Sequence, residues 1–322
     1  MTLAAKLLAL ALALLAGAWG WVQHRARAHE ARAEAAFPPE GQLIEVDGHH
    51  VHAVVDGQGP DLVLIHGSSG NTRDMTHSLA GRLADEFRVI VLDRPGLGYT
   101  DRIDAGGATI GQQARLLSQA ARKLGADRPV VLGHSYGGAV ALAWAVHRPQ
   151  SLSALVAVAA PSNPWPGGLP TFYRVTAHPV LGPLAIPMLT AFVQDARVER
   201  AIAEVFAPQA PPDGYIDHFG AGLTLRRASL RANALQRAGL KAEIREMHTE
   251  YGSVQVPTEI LHGTADTTVG LSIHSEPLAR QIPGAMLTRL DGVGHMPHHV
   301  AQDAVVAGIR RAAERAGLRP GD

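Results

Sequence analysis

The chain opens on an apolar run. From Leu7 to Val22, sixteen consecutive residues carry no charge, and most are leucine or alanine. Only Lys6 separates this run from Leu3-Ala4-Ala5, and Arg25, Arg27 and Arg32 follow it. The length suits a membrane span or a secretory signal better than a buried core helix. Trp19 and Trp21 fit a membrane interface. Residues 1–22 are therefore expected to be a retained signal anchor, with a cleaved signal peptide as the alternative. Ala33-Glu34-Ala35 resembles a cleavage site but lies far from the apolar run. Residues 23–40 are polar, close on Pro38-Pro39, and are expected to form a linker.

Beyond the linker the rhythm changes to short strands and longer amphipathic segments. Residues 42–46 and 50–55 alternate around Asp47-Gly48, a hairpin signal. Short apolar runs follow at 61–65, 88–92, 128–132, 154–158, 259–261 and 285–290. Helical patterns separate them, among them 74–86 and 109–124. Near-continuous apolar strands alternating with helices predict an α/β fold: a mostly parallel central sheet flanked by helices on both faces. Residues 41–160 and 258–322 form the two parts of this core. Residues 161–257 break the pattern with proline-rich links and helix-like pieces at about 195–207 and 226–250. An insertion of this size, after which the strand rhythm resumes, predicts a helical cap over the carboxyl ends of the strands, where active-site loops gather.

Composition narrows the partners. Of 322 residues, 46% are hydrophobic, so a sizeable core can be buried. The formal net charge is zero, which gives no electrostatic argument for nucleic acid. There is no cysteine, which excludes disulfides and thiolate chemistry.

The most specific chemistry lies at Gly133-His134-Ser135-Tyr136-Gly137. This is a G-x-S-x-G pattern between an apolar run and a helical one, the sharp turn that exposes a serine hydroxyl. A serine nucleophile needs a base and a group that orients the base. On such a sheet the chain order is Ser, then an acid, then His. Asp266 follows the fifth of the six runs and His295 follows the sixth. Asp266 could instead be a helix cap, but no carboxylate follows the fourth run, where Pro161-Ser162-Asn163 stands. His298 and His299 are neighbours of His295, but only His295 follows a glycine. The expected catalytic residues are Ser135, Asp266 and His295. An oxyanion needs two aimed backbone donors, and the N–H groups of Ser68 and Tyr136 are expected to supply them. His66 is expected to be structural, and His134 to pack beside the turn. His50 and His52 share a strand face, but no Cys or acidic cluster joins them, so no metal is expected there. In the insertion, Val180, Leu181, Leu184, Ile186, Met188, Leu189 and Phe192 form an apolar cluster. It is expected to be cap core or a wall for an acyl or alcohol group.

His66-Gly67, Asp93-Arg94-Pro95-Gly96-Leu97-Gly98, Gly133 to Gly138, His262-Gly263-Thr264-Ala265-Asp266 and Gly294-His295 occur in one order. Together they resemble the α/β-hydrolase superfamily, in its cap-bearing branch with epoxide hydrolases, haloalkane dehalogenases, haloperoxidases and carboxylesterases. The resemblance covers about residues 42–315. It implies the α/β-hydrolase fold with a helical cap, and a structural turn at 93–98 near the site. Epoxide hydrolases and dehalogenases of that branch place an aspartate where this chain has Ser135, so the resemblance implies acyl transfer here. The expected function is a serine hydrolase of carboxylic esters, hydrophobic or lipid-like, needing no cofactor. The alternatives are a cofactor-free haloperoxidase or perhydrolase, a C–C bond hydrolase, and a ligand-binding receptor on the same fold. The expected partners are a small-molecule ester and, through the N-terminal segment, a membrane. Arginines after the span favour a cytoplasmic body. Glutamates interrupt that cluster, and such starts often lead to export, so the outer (periplasmic) face is the expectation, with secretion after cleavage the alternative.

Overall fold

The computed structural model describes residues 2–318; the outer ends of the expected segments 1–22 and 258–322 lie outside the described residues. Eight strands form one sheet: β1 (Gln42–Val46), β2 (His49–Asp56), β3 (Asp61–Ile65), β4 (Arg88–Leu92), β5 (Val130–His134), β6 (Ala154–Val158), β7 (Thr258–Gly263) and β8 (Met286–Leu290). Their order is β1-β2-β4-β3-β5-β6-β7-β8. The hairpin at Asp47-Gly48 makes β1 and β2 antiparallel, β2 pairs antiparallel with β4, and every later pairing is parallel. Strands β5 and β6 are buried along their whole length, as apolar runs covered by helices on both faces must be.

Outside the cap, the helices are α1 (Leu3–Ala36), α2 (Arg73–Thr76), α3 (Leu79–Leu83), α4 (Ile110–Lys123) and α5 (Tyr136–His147). The cap carries α6 (Thr171–Ala177), α7 (Leu181–Phe192), α8 (Asp195–Val205), α9 (Tyr215–Phe219), α10 (Ala221–Thr224) and α11 (Arg227–Met247). The core resumes with α12 (Ser275–Gln281), α13 (Pro297–Val300) and α14 (Gln302–Arg315). Two apolar clusters fill the faces of the sheet. One is built on α4, α5 and the end of α11; the other on α3 and α14. Thr109 and Gln112 cap α4 reciprocally, which explains its sharp start. The single helix expected at 74–86 is two short ones. The break at His77-Ser78 lets His77 pack edge-on against Tyr215 of the cap, 5.4 Å between ring centroids.

Residues 23–40 do not form the expected linker. α1 continues without a break to Ala36 and is long and apolar enough to cross a membrane. Its second half is rich in alanine, arginine and glutamate, all good helix formers, and Pro38 forbids further extension. Tertiary contacts hold this half. Val22, Ala26, His29 and Ala33 share one buried face against the cap. The ring Nε2 of His29 lies 3.3 Å from the Gly222 carbonyl. The Glu30 carboxylate accepts hydrogen bonds from both the backbone and the side chain of Arg227.

Candidate active site

Strand β5 delivers Ser135 at a sharp turn into α5. Ser135 has φ +51° and ψ −122°, a strained backbone for a residue with a side chain. The turn closes only around glycine. A Cβ on Gly133 would lie 2.1 Å from the Gly137 carbonyl oxygen, and one on Gly137 would lie 2.3 Å from that of Ile65. His295 stands on the loop between β8 and α13, and Asp266 on the loop after β7. The Ser135 hydroxyl is 3.0 Å from His295 Nε2, and His295 Nδ1 is 2.7 Å from Asp266 Oδ2. The three residues expected from sequence thus meet. Ser135 and His295 are nearly shut from solvent, at 8% and 4% exposure.

Asp266 is held from every side. Its Oδ1 accepts the backbone N–H groups of Thr268 and Val269 at 2.8 and 2.9 Å. Its Oδ2 lies 3.1 Å from Nε2 of His262 as well as against His295. Burial alone would raise the carboxyl's pKa. Hydrogen bonds from His262, His295 and the Val269 backbone outweigh burial and hold it well below the usual carboxylate range. His262 was legible in sequence only as part of a motif. Here it is a second imidazole on the same carboxylate, with Nδ1 2.6 Å from the Ser275 hydroxyl.

The loop after β3 passes close to the serine. A Cβ on Gly67 would lie 3.2 Å from that of Ser135. Among the described residues, neither the Ser68 nor the Tyr136 backbone N–H has an acceptor. Tyr136 is the first residue of α5, where such a free donor is expected. The loop is shaped by Arg94, which sequence analysis cited only within the 93–98 turn. Arg94 is fully buried. It donates to the carbonyls of His66 and Gly67 at 3.0 and 2.8 Å, and to the side chains of Gln113 and Gln236 at 3.1 and 2.9 Å. Its guanidinium lies 4.3 Å from the Tyr136 ring centroid. A second charged residue, straight after Asp93 at the end of a buried apolar strand, was the signal that could have marked it. His66 is structural, as expected. Its Nδ1 sits 2.9 Å from the Gly67 carbonyl and its Nε2 accepts the Arg94 N–H at 3.0 Å. Burial first, then the neighbouring Arg94, pull its pKa down to about 4.

The cap closes over this loop. Asn233 of α11 accepts from the Ser69 N–H and donates to the Ser69 hydroxyl, both at 2.9 Å. Gln236 donates to the Pro95 carbonyl at 2.8 Å. A cavity of about 10 Å³, room for roughly one water, lies between this loop and α11.

The alpha/beta hydrolase fold family matches residues 60–302. The chain belongs to this family. An alpha/beta hydrolase fold protein from Burkholderia ambifaria shares its fold with a TM-score of 0.70 and 28% identity, over 83% of this chain and 96% of that one. The pimeloyl-[acyl-carrier protein] methyl ester esterase of Vibrio parahaemolyticus is 27% identical over 80% of this chain and 96% of its own length. Haloalkane dehalogenase 2 of Mycobacterium tuberculosis is 25% identical over 85% of this chain and 94% of its own.

This hydrolase also carries a polar cluster that sequence reading passed over. Asp74, His298 and His299 are buried together, and Asp74 Oδ1 lies 3.4 Å from His298 Nε2 and 3.0 Å from His299 Nε2. The Tyr215 hydroxyl donates to the same oxygen at 2.7 Å. The grouping has metal-like spacing. Nδ1 of both histidines is buried without a hydrogen-bond partner among the described residues, whereas metal-bound histidines nearly always donate through the second nitrogen. The donor set therefore fits a hydrogen-bond network converging on a carboxylate better than a metal ion. Next to it, the His134 ring packs 4.1 Å from that of His298, and its Nε2 sits 2.8 Å from the His295 carbonyl. His134 so braces the backbone of His295. The His50–His52 pair is split: His52 Nδ1 meets buried Asp93 at 2.6 Å, while His50 faces Asp101 at the surface.

Proposed function

We propose that this hydrolase cleaves carboxylic esters through an acyl-enzyme on Ser135. The observation that carries the reading is the pair of short contacts linking Ser135, His295 and Asp266 at a strained turn. His295 Nε2 takes the hydroxyl proton as Ser135 Oγ attacks the ester carbonyl, and then gives it to the departing alcohol. Water enters, loses a proton to the same imidazole, and releases the acid and the serine. Asp266, held ionised, fixes the tautomer with the proton on Nδ1 and stabilises the imidazolium. The N–H groups of Ser68 and Tyr136 receive the oxyanion, the second at the positive end of α5. Similarity to a methyl ester esterase supports an ester substrate. A serine at the turn, rather than an acid, supports acyl transfer over dehalogenation. Ser135 and His295 keep only 8% and 4% exposure, so movement of the cap would widen their access to an ester.

The reading includes a retained anchor. α1 is one continuous helix, apolar at its start and packed on the cap at its end, so cleavage would remove part of the cap's support. An anchored enzyme meets hydrophobic, lipid-like esters at the bilayer.

Turnover of p-nitrophenyl esters from acetate to palmitate tests the reading, with two variants as controls. Ser135→Ala should lose labelling by a fluorophosphonate, and its turnover should drop by about three orders of magnitude or more, with the melting temperature nearly unchanged. Asp266→Asn should keep its fold and lose roughly 10⁴ in kcat, because it favours the wrong tautomer. Labelling that persists in Ser135→Ala would remove the serine from its role.

A further inference from the structure

Only part of the apolar cluster of the first cap helices is core, as Ile186 and Leu189 show. Ile186 turns inward. Leu181, Leu184, Met188 and Phe192, at helical spacing, form one stripe along the outside of α7, preceded by exposed Val180, and Phe172 of α6 is exposed as well. These six residues are 43% to 64% exposed. A stripe of large apolar side chains in water is unfavourable and marks a surface made for a partner.

Its surroundings say which partner. From Pro161 to Val193 the only Asp, Glu, Lys or Arg is Arg174, in a chain where such residues make up 18%. α6 and α7 together are apolar enough for a membrane, but they are bent by 112°, so they cannot cross one as a straight helix. Such a composition and shape suit the lipid–water interface. The stripe also has a fixed place relative to the anchor. The Phe192 ring packs 5.4 Å from the Trp21 ring, where the apolar run of α1 ends. The Arg25 guanidinium lies 5.3 Å from both ring centroids, and its Nε donates to the Ala191 carbonyl at 3.3 Å. Tryptophan and arginine at the end of an apolar helix mark the headgroup level. α7 therefore leaves α1 at that level, in a body tethered there.

We propose that the outer stripe of α7 lies in the lipid–water interface beside the α1 anchor, so that the roof of the active site rests on the bilayer. This rests on the reading of α1 as a retained anchor, and the test separates the two. The chain has no cysteine, so single cysteines can carry an environment-sensitive fluorophore. Full-length Leu12→Cys, Leu184→Cys, Met188→Cys and Glu314→Cys, labelled and reconstituted in phosphatidylcholine–phosphatidylglycerol vesicles, are exposed to phosphatidylcholine spin-labelled on its acyl chain. The expected result is quenching of about twofold at positions 12, 184 and 188, and none at 314 on α14. Quenching at 12 with 184 and 188 behaving like 314 would overturn the proposal and leave the anchor standing. No quenching at 12 would overturn both. Labels at 184 and 188 shielded from aqueous iodide yet untouched by lipid would mean a second protein copy covers the stripe, which also overturns it.

Discussion

The floor and the roof of this site are built in different ways. The floor hangs largely from strands buried on both faces, β5 and β7 among them, and each side chain of the proposed triad stands past a strand end, His295 past the more exposed β8. The roof is uneven: α11 has nine buried residues and its end joins the core, whereas α8 has no buried residue at all. It is held from below by polar struts, such as Asn233 to Ser69 and Arg94 to Gln236. From the far side it is held by α1 through Glu30 and His29. The floor is thus stabilised by continuous packing, whereas the roof adds to the packing of α11 a set of polar contacts with the loops below it and with α1. In the proposed mechanism, chemistry that tolerates little displacement sits on the first, and the second lies over one of its loops.

Acid should separate the two regions most strongly. His66 lies in the floor and His274 where the cap chain departs, and burial pulls each to about 4. His274 Nδ1 accepts the N–H groups of Ser162 and Asn163, which suits only the unprotonated nitrogen. The folded protein keeps both neutral, while the unfolded chain takes up their protons near the ordinary 6.5. Stability is therefore full above that value and is lost as pH falls toward 4, by about 3 kcal/mol for each histidine. In the cap, burial also lowers the pKa of His218, which is only partly buried. Thermal unfolding between about pH 7 and pH 5 should show a steep fall in Tm. A flat Tm over that range would mean that the floor does not bury neutral imidazoles.

Replacing Arg94, which joins floor to roof, should have the next largest effect. Arg94→Met removes the donors to His66, Gly67, Gln113 and Gln236 and leaves buried acceptors unpaired. The expected loss is about 2–4 kcal/mol. Because the Gly67 carbonyl belongs to the loop that carries Ser68, kcat should fall along with Tm. A variant with unchanged Tm would show that the floor shapes its loop without this strut.

The same contrast decided what could be read from sequence. β-strands buried on both faces leave an apolar run, and the turns after them carry the motif residues, so the sheet, Ser135, Asp266 and His295 were all visible as a pattern. Arg94 and His262 lay inside those motifs, but their contacts reach across the fold, and no local spacing reports that. The roof was harder. Residues 23–36 looked like a linker because their polar side chains gave no apolar stripe; the helix is held by His29, Glu30 and small alanines meeting the cap. The apolar residues of α7 looked like core because periodicity marks a hydrophobic face without saying what covers it.

The smallest predicted effect tests the roof's outer support. Glu30 reaches from α1 to the first residue of α11, where its carboxylate accepts the Arg227 backbone N–H at 2.9 Å and the guanidinium at 2.9 and 2.6 Å. It thus acts as an N-terminal cap supplied by another helix, favoured by the dipole of α11. The pair is partly open to solvent, with side chains 28% and 18% exposed, so screening limits its worth to roughly 1 kcal/mol. Glu30→Gln keeps one acceptor oxygen and loses the charge. Tm of the full chain in detergent should drop by about 2–4 °C, with kcat on a short ester unchanged, because no floor contact is touched. Arg32→Gln, exposed on the same helix, controls for a general change of surface charge. A Tm loss in Glu30→Gln but not in Arg32→Gln would establish that α1 braces the cap. Equal Tm in all three proteins would reduce the α1–cap contact to adjacency, and the roof would then stand on the struts of the floor alone.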